Sequence, residues 1–159
     1  MNRTSRVTLN PAFLQEIKED HRTFYRLLAA ARHHLGRRGG YWRDHTPRAM
    51  VDLLERVRDR LAMHFALEEA YGYFEDPVWT EPQISIPAQR LREQHRELYA
   101  ELLWLTERAI QVRYHETPRS RVPQICADFE RFCRHFEEHE RRESELMVQA
   151  LYEDVGVGD

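Results

Sequence analysis

Four stretches of this chain repeat apolar residues at helical spacing, and each carries at least one histidine inside its apolar stripe. That placement constrains the fold more than any other feature. A stripe that faces a core buries its imidazole, and a buried polar group without a partner is costly. The first stretch opens at Asn10-Pro11, a capping residue followed by proline, and runs through Phe13, Leu14, Ile17, His21, Phe24, Leu27, Leu28 and Ala31. Gly36 and Gly39-Gly40 are expected to end it. The second opens at Thr46-Pro47, carries Leu53, Leu54, Val57, Leu61, His64, Leu67 and Tyr71, and closes before Asp76-Pro77. Pro77, Pro82 and Pro87 place a loop next, in which QISI, residues 83 to 86, is the one short strand-like alternation. A third helix is expected from about Pro87 to Arg113, with Leu91, His95, Leu98, Leu102, Leu105 and Ala109 on one face. The fourth opens near Thr117-Pro118, with Pro123 in or near its first turn, and runs to about Asp154 before Gly156 and Gly158. Four long helices with short connections predict an all-α, antiparallel up-down four-helix bundle, one domain over residues 1–159 with its core from about 10 to 154.

Composition narrows the function classes. The 159 residues are 42% hydrophobic and 32% charged, with a net charge of -3, so no electrostatic case exists for nucleic acid or an anionic membrane. No apolar window is long enough for a membrane span, and the N-terminus MNRTSRVTLN lacks an apolar leader core, so a cytoplasmic location is expected. Cys126 and Cys133 stand seven apart on one expected helix, about 10 Å of rise, too far for a disulfide. They read as reduced core residues. Nine histidines are many for this length.

The histidines fall into an internal repeat. EDHRTFYRLL at 19 to 28 resembles EQHRELYAEL at 93 to 102, which pairs His21 with His95 and Tyr25 with Tyr99, 74 residues apart. In the other two helices an offset of 75 pairs His64 with His139 and Glu68 with Glu143. Leu54, Val57 and Leu61 then match Phe129, Phe132 and Phe136. A rival offset of 71 pairs His64-Phe65 with His135-Phe136 and Thr46-Pro47 with Thr117-Pro118. The offset of 75 nearly equals the 74 of the other pair and preserves the H-x3-E unit, so His139 and Glu143 are preferred over His135 as site residues.

Residues four apart on a helix share a face, so each H-x3-E unit offers an imidazole and a carboxylate side by side. Six such groups, His21, His64, Glu68, His95, His139 and Glu143, converging on a bundle centre need a common partner, and divalent metal ions supply it. Two metals would each take two histidines, with the glutamates as bridges. His135 reads as a neighbouring or channel histidine, with ligation the lesser expectation. Tyr25 and Tyr99, one turn beyond their histidines, are candidates to face the metals. Glu69, Glu137, Glu138 and Glu140 read as solvated. His33, His34, His45 and His115 read as surface, and Trp79 and Trp104 as packing residues.

With DH at 20 to 21, HFALEE at 64 to 69, EQH at 93 to 95 and HERRESELMVQAL at 139 to 151, the chain resembles the hemerythrin-like, or HHE cation-binding, domain family over nearly its whole length. The resemblance implies a hemerythrin-like bundle with a non-haem diiron centre: two iron ions, or iron with manganese or zinc, bridged by carboxylates and an oxo or hydroxo group. It implies handling of a small oxidant such as dioxygen, peroxide or nitric oxide, or alternatively a dioxygen or iron sensor or a metal store without turnover. Dioxygen carriers of the family have H-x3-H on the third helix and H-x4-D on the fourth. Here Tyr99 stands four beyond His95 and Ser144 five beyond His139, so a ligand is missing relative to the carriers.

Overall fold

The structure is a computed structural model that describes residues 11–36, 46–70 and 81–156. Among these it is all-helical: α1 (Pro11–Leu35), α2 (Pro47–Ala70), α3 (Pro82–Arg113), a short 3-10 turn (Arg119–Arg121) and α4 (Val122–Gly156). No helix among the described residues is long and apolar enough to cross a membrane. Asn10, Gly39-Gly40, His45, Tyr71, Pro77, Trp79 and Gly158 lie outside the described residues.

Local chemistry sets the helix ends. Pro47 and Pro82 sit at first helical positions, where a missing N–H costs nothing. The Thr46 hydroxyl accepts from the Ala49 N–H at 3.2 Å and caps α2. Gly36 follows α1, where a β-carbon would stand 2.3 Å from the Arg32 carbonyl oxygen, so glycine alone fits. Past α3 the Glu116 N–H donates to the Gln111 carbonyl at 2.9 Å and the His115 N–H to Val112 at 3.2 Å. That is a Schellman closure, with His115 in the left-handed region at φ 61° where glycine is usual.

The third helix corrects the sequence expectation. It starts at Pro82, five residues before Pro87, and the strand-like QISI is helical. Pro87 removes one backbone hydrogen bond early in the helix, on an exposed position where water can serve the freed carbonyl. Burial supplies the compensation: Ile84, Ala88 and Leu91 pack with Leu146 and Ala150 of α4 in a small apolar cluster.

The helices pack in the ring α1–α2, α2–α3, α3–α4, α4–α1. The main core lies on one side of the histidine level. It contains Phe24, Leu54, Leu61, Leu102, Leu105, Phe129, Phe132 and Phe136, all fully buried. Each such side chain contributes about 1.5–3 kcal/mol by burial. The Ile84–Ala150 cluster lies on the other side. The histidine level is thus enclosed between two apolar layers. Cys126 and Cys133 are buried free thiols in the main core, and burial pushes them up to about 11 and about 12. Trp104 corrects another expectation: it is 53% exposed, with the Arg108 guanidinium 4.3 Å over its ring.

Candidate metal centre

The structure brings His21, His64, Glu68, His95, His139 and Glu143 together between those layers. All but His21 are buried; the His21 side chain keeps 26% of its surface. Their donor atoms form two groups, His21–His64–Glu68 and Glu68–His95–His139–Glu143, within which every pair of ligand atoms lies inside 4.8 Å. Glu68 belongs to both. One of its oxygens, Oε1, stands 3.4 Å from His21 Nε2 and 3.0 Å from His64 Nε2. The other, Oε2, stands 3.3 Å from His95 Nε2. Glu143 Oε2 lies 3.2 Å from His139 Nε2 and 3.9 Å from His95 Nε2, on the second group's side.

The directions of these groups matter as much as the distances. Both oxygens of Glu68, Oε2 of Glu143 and Nε2 of His21, His95 and His139 are buried without an aligned hydrogen bond. They stand within 3.0 to 3.4 Å of one another yet are not aligned to bond. Donors about 2.1 Å from one ion stand roughly 3.0 to 3.4 Å apart for angles between right-angled and tetrahedral. That range contains the four shortest nitrogen–oxygen separations among the six residues.

The outer ring nitrogens supply an independent test. A ligating histidine offers one nitrogen to the metal and fixes the other with an acceptor. His139 donates from Nδ1 to Gln94 Oε1 at 3.0 Å, and His95 from Nδ1 to Glu69 Oε1 at 3.2 Å. His64 Nδ1 faces Asp20 Oδ2 at 3.4 Å, and the other Asp20 oxygen is 3.5 Å from Arg60. The first two acceptors leave Nε2 as the inward atom on His95 and His139, while His64 Nδ1 and Asp20 Oδ2 face each other without an aligned hydrogen bond. The repeat extends to them: Asp20 and Gln94 are 74 apart and face histidines 75 apart. Sequence reasoning passed over Asp20 and Gln94, although the same offset pairs them. Four imidazoles and two buried carboxylates in this arrangement could hold metal ions.

Without metal, facing carboxylates hold the His64 and His95 imidazoles protonated. Burial pulls His64 down, but Glu140 and Glu68 outweigh it and hold it at about 10. Burial likewise opposes the charge on His95, which Glu143 and Glu68 hold at about 9. Burial pushes the Glu68 carboxyl up, yet the facing His21, His64 and His95 hold it well below the usual carboxylate range.

Two glutamates expected in solvent are part of the surroundings. Glu69 positions His95, as described. Glu140 keeps only 16% of its side-chain surface; its Oε1 is 3.1 Å from His64 Nε2, and its Oε2 accepts from the Tyr25 hydroxyl at 2.9 Å. Both follow a buried residue of α2 or α4 by one position, where helical periodicity predicts an outward side chain. Burial and the Glu140 charge keep the Tyr25 phenol protonated, well above its ordinary range. Tyr99, half-buried, makes no hydrogen bond to the cluster among the described residues. Glu137 pairs with Arg32, and Glu138 with Arg141 and Arg142.

His135 points away. Its side chain is 55% exposed and its Nδ1 lies 3.0 Å from Glu101 Oε2. The pair lines a cleft of about 300 Å³ between α3 and α4, which reaches Gln94 and His139 from outside. His33, His34 and His115 are exposed.

Neither a family profile, nor a curated protein, nor a solved structure matches the chain.

Proposed function

We propose that this chain is a hemerythrin-like antiparallel up-down bundle that holds a dinuclear non-haem metal centre, iron in the cell, and handles a small oxidant such as peroxide, nitric oxide or dioxygen. The observation that carries the reading is Glu68, a fully buried carboxylate whose two oxygens each face a different set of imidazoles. The up-down topology is supported by contacts that run in opposite directions along α1 and α4: Tyr25 meets Glu140, while Arg32, farther along α1, meets Glu130, earlier in α4. His21 and His64 would hold one ion, His95, His139 and Glu143 the other, with Glu68 shared. Such an ion pair supplies Lewis acidity and stored electrons.

The protein's own groups account for the rest. Glu69 and Gln94 fix the imidazoles of His95 and His139, and Asp20 faces that of His64. The apolar layers exclude water from both ends. The partly open His21 side gives a small molecule its approach, and six protein donors for two ions leave coordination positions for it.

The test is anaerobic loading with ferrous iron, metal analysis per chain, then exposure to stoichiometric peroxide or nitric oxide. Two irons per chain and repeated consumption of the oxidant are expected. Fewer than about one iron per chain contradicts the centre. Full loading with no turnover contradicts oxidant handling alone, and leaves the metal reading standing as a sensor or store.

A further inference from the structure

Glu140 differs from every other acceptor around the centre in which ring nitrogen it meets. Glu69 and Gln94 take the outer Nδ1 atoms of His95 and His139, as residues that orient histidines do, and Asp20 faces the outer Nδ1 of His64. Glu140 Oε1 instead meets Nε2 of His64, the same atom that stands 3.0 Å from the shared Glu68 oxygen. It hydrogen-bonds the inner nitrogen of that ring at 3.1 Å, a separation that adjacent ligands of one ion also have, and it stands beside the His21–His64–Glu68 donor group rather than within it. The carboxylate is also held: its second oxygen accepts from Tyr25 of α1, across the helix interface, so the first oxygen is presented in one orientation.

Taking the two-metal reading as its basis, we infer that Glu140 is a third carboxylate ligand of the centre, bound to the ion held by His21 and His64 and steadied by Tyr25. The assignment gives each ion the same kind of set: two imidazoles, one oxygen of Glu68, and one carboxylate of its own, Glu140 or Glu143. It also lowers the buried charge. Two divalent ions facing Glu68 and Glu143 leave a surplus of two positive charges, and Glu140 removes one of them in a place where water screens poorly. The repeat conceals the residue, because its partner at the offset of 75 is Phe65, an apolar ring.

Titration of the metal-free full chain with manganous ion tests this, followed by calorimetry and by electron paramagnetic resonance. Wild type is expected to take up two ions and give the spectrum of a coupled pair. Glu140→Ala and the isosteric Glu140→Gln are expected to weaken one binding step by about 100-fold or more and leave the other within about threefold. At limiting manganese the variants then show an isolated ion in place of the coupled pair. Tyr25→Phe is expected to weaken the same step by about tenfold, as loss of a supporting hydrogen bond does. Circular dichroism of the metal-free variants checks that they fold, and Glu140→Gln serves if the alanine variant does not. Two unchanged binding steps in both Glu140 variants, or equal weakening of both steps, would overturn the assignment while sparing the centre. A wild-type chain that binds no manganese would remove the centre itself and the assignment with it.

Discussion

The two halves of the centre share a backbone plan and differ in one residue that decides their character. In each half the residue before the first histidine, Asp20 or Gln94, meets the second histidine, His64 or His139, from outside. The residue after that second histidine is Phe65 in one half and Glu140 in the other. Phe65 is buried and stacks on His95, with ring centroids 3.9 Å apart and planes within 9°, and meets the His139 ring edge-on at 5.8 Å. Glu140 meets His64 with a carboxylate and joins it to the partly exposed Tyr25. One half is packed by a ring, and the other carries a charge beside an exposed tyrosine. A repeated helix pair can thus place the imidazoles twice, while a single position per half sets packing and charge.

The largest expected effect removes what the halves share. Glu68→Ala takes one oxygen from each group and leaves three imidazoles, those of His64 and His95 buried, without their common carboxylate. Metal uptake in both halves is expected to fall below detection in a micromolar titration, whereas loss in one half only would show that Glu68 does not link them. Next comes the ring. Phe65→Ala is expected to cost about 3–5 kcal/mol in the unfolding free energy of the metal-free chain. A cost under about 1 kcal/mol in denaturant melts would mean that the ring does not pack that half.

A smaller effect separates protons from metal. In the metal-free chain His64 and His95 are held at about 10 and about 9, above the ordinary 6.5 of an unfolded chain. A raised folded value stabilises fully below about 6.5 and loses that contribution as pH rises through about 9 to 10. The melting temperature of the metal-free chain should therefore fall between pH 6.5 and 10. The loaded chain should be spared this loss, because metal takes the place of the protons. Parallel melting curves for the two forms across that range would contradict those raised values. The smallest effect belongs to His135→Ala, which should leave metal content intact and shift stability by no more than about 0.5 kcal/mol.

How much of this was legible in the sequence depends on whether a residue obeys a period. Helical spacing located the four stripes, and the offsets of 74 and 75 selected the six converging side chains and set His135 apart. The same offset pairs Asp20 with Gln94, but an acid and an amide look unrelated until both are seen facing a ring nitrogen. Glu140 obeys neither signal: it follows a histidine by one and faces a phenylalanine in the repeat. Pro87 misled in the opposite sense. A helix-breaking residue set the expected start of the third helix, whereas burial of Ile84 beside Ala88 and Leu91 against Leu146 and Ala150 carries that helix back to Pro82.

Anomalous diffraction from crystals of the iron-loaded chain tests the central claim most directly. Two iron peaks per chain are expected, one against Nε2 of His21 and His64 and one against Nε2 of His95 and His139, with a Glu68 oxygen on each. Peaks in the His135–Glu101 cleft, or a single peak that leaves Glu68 free, would contradict it.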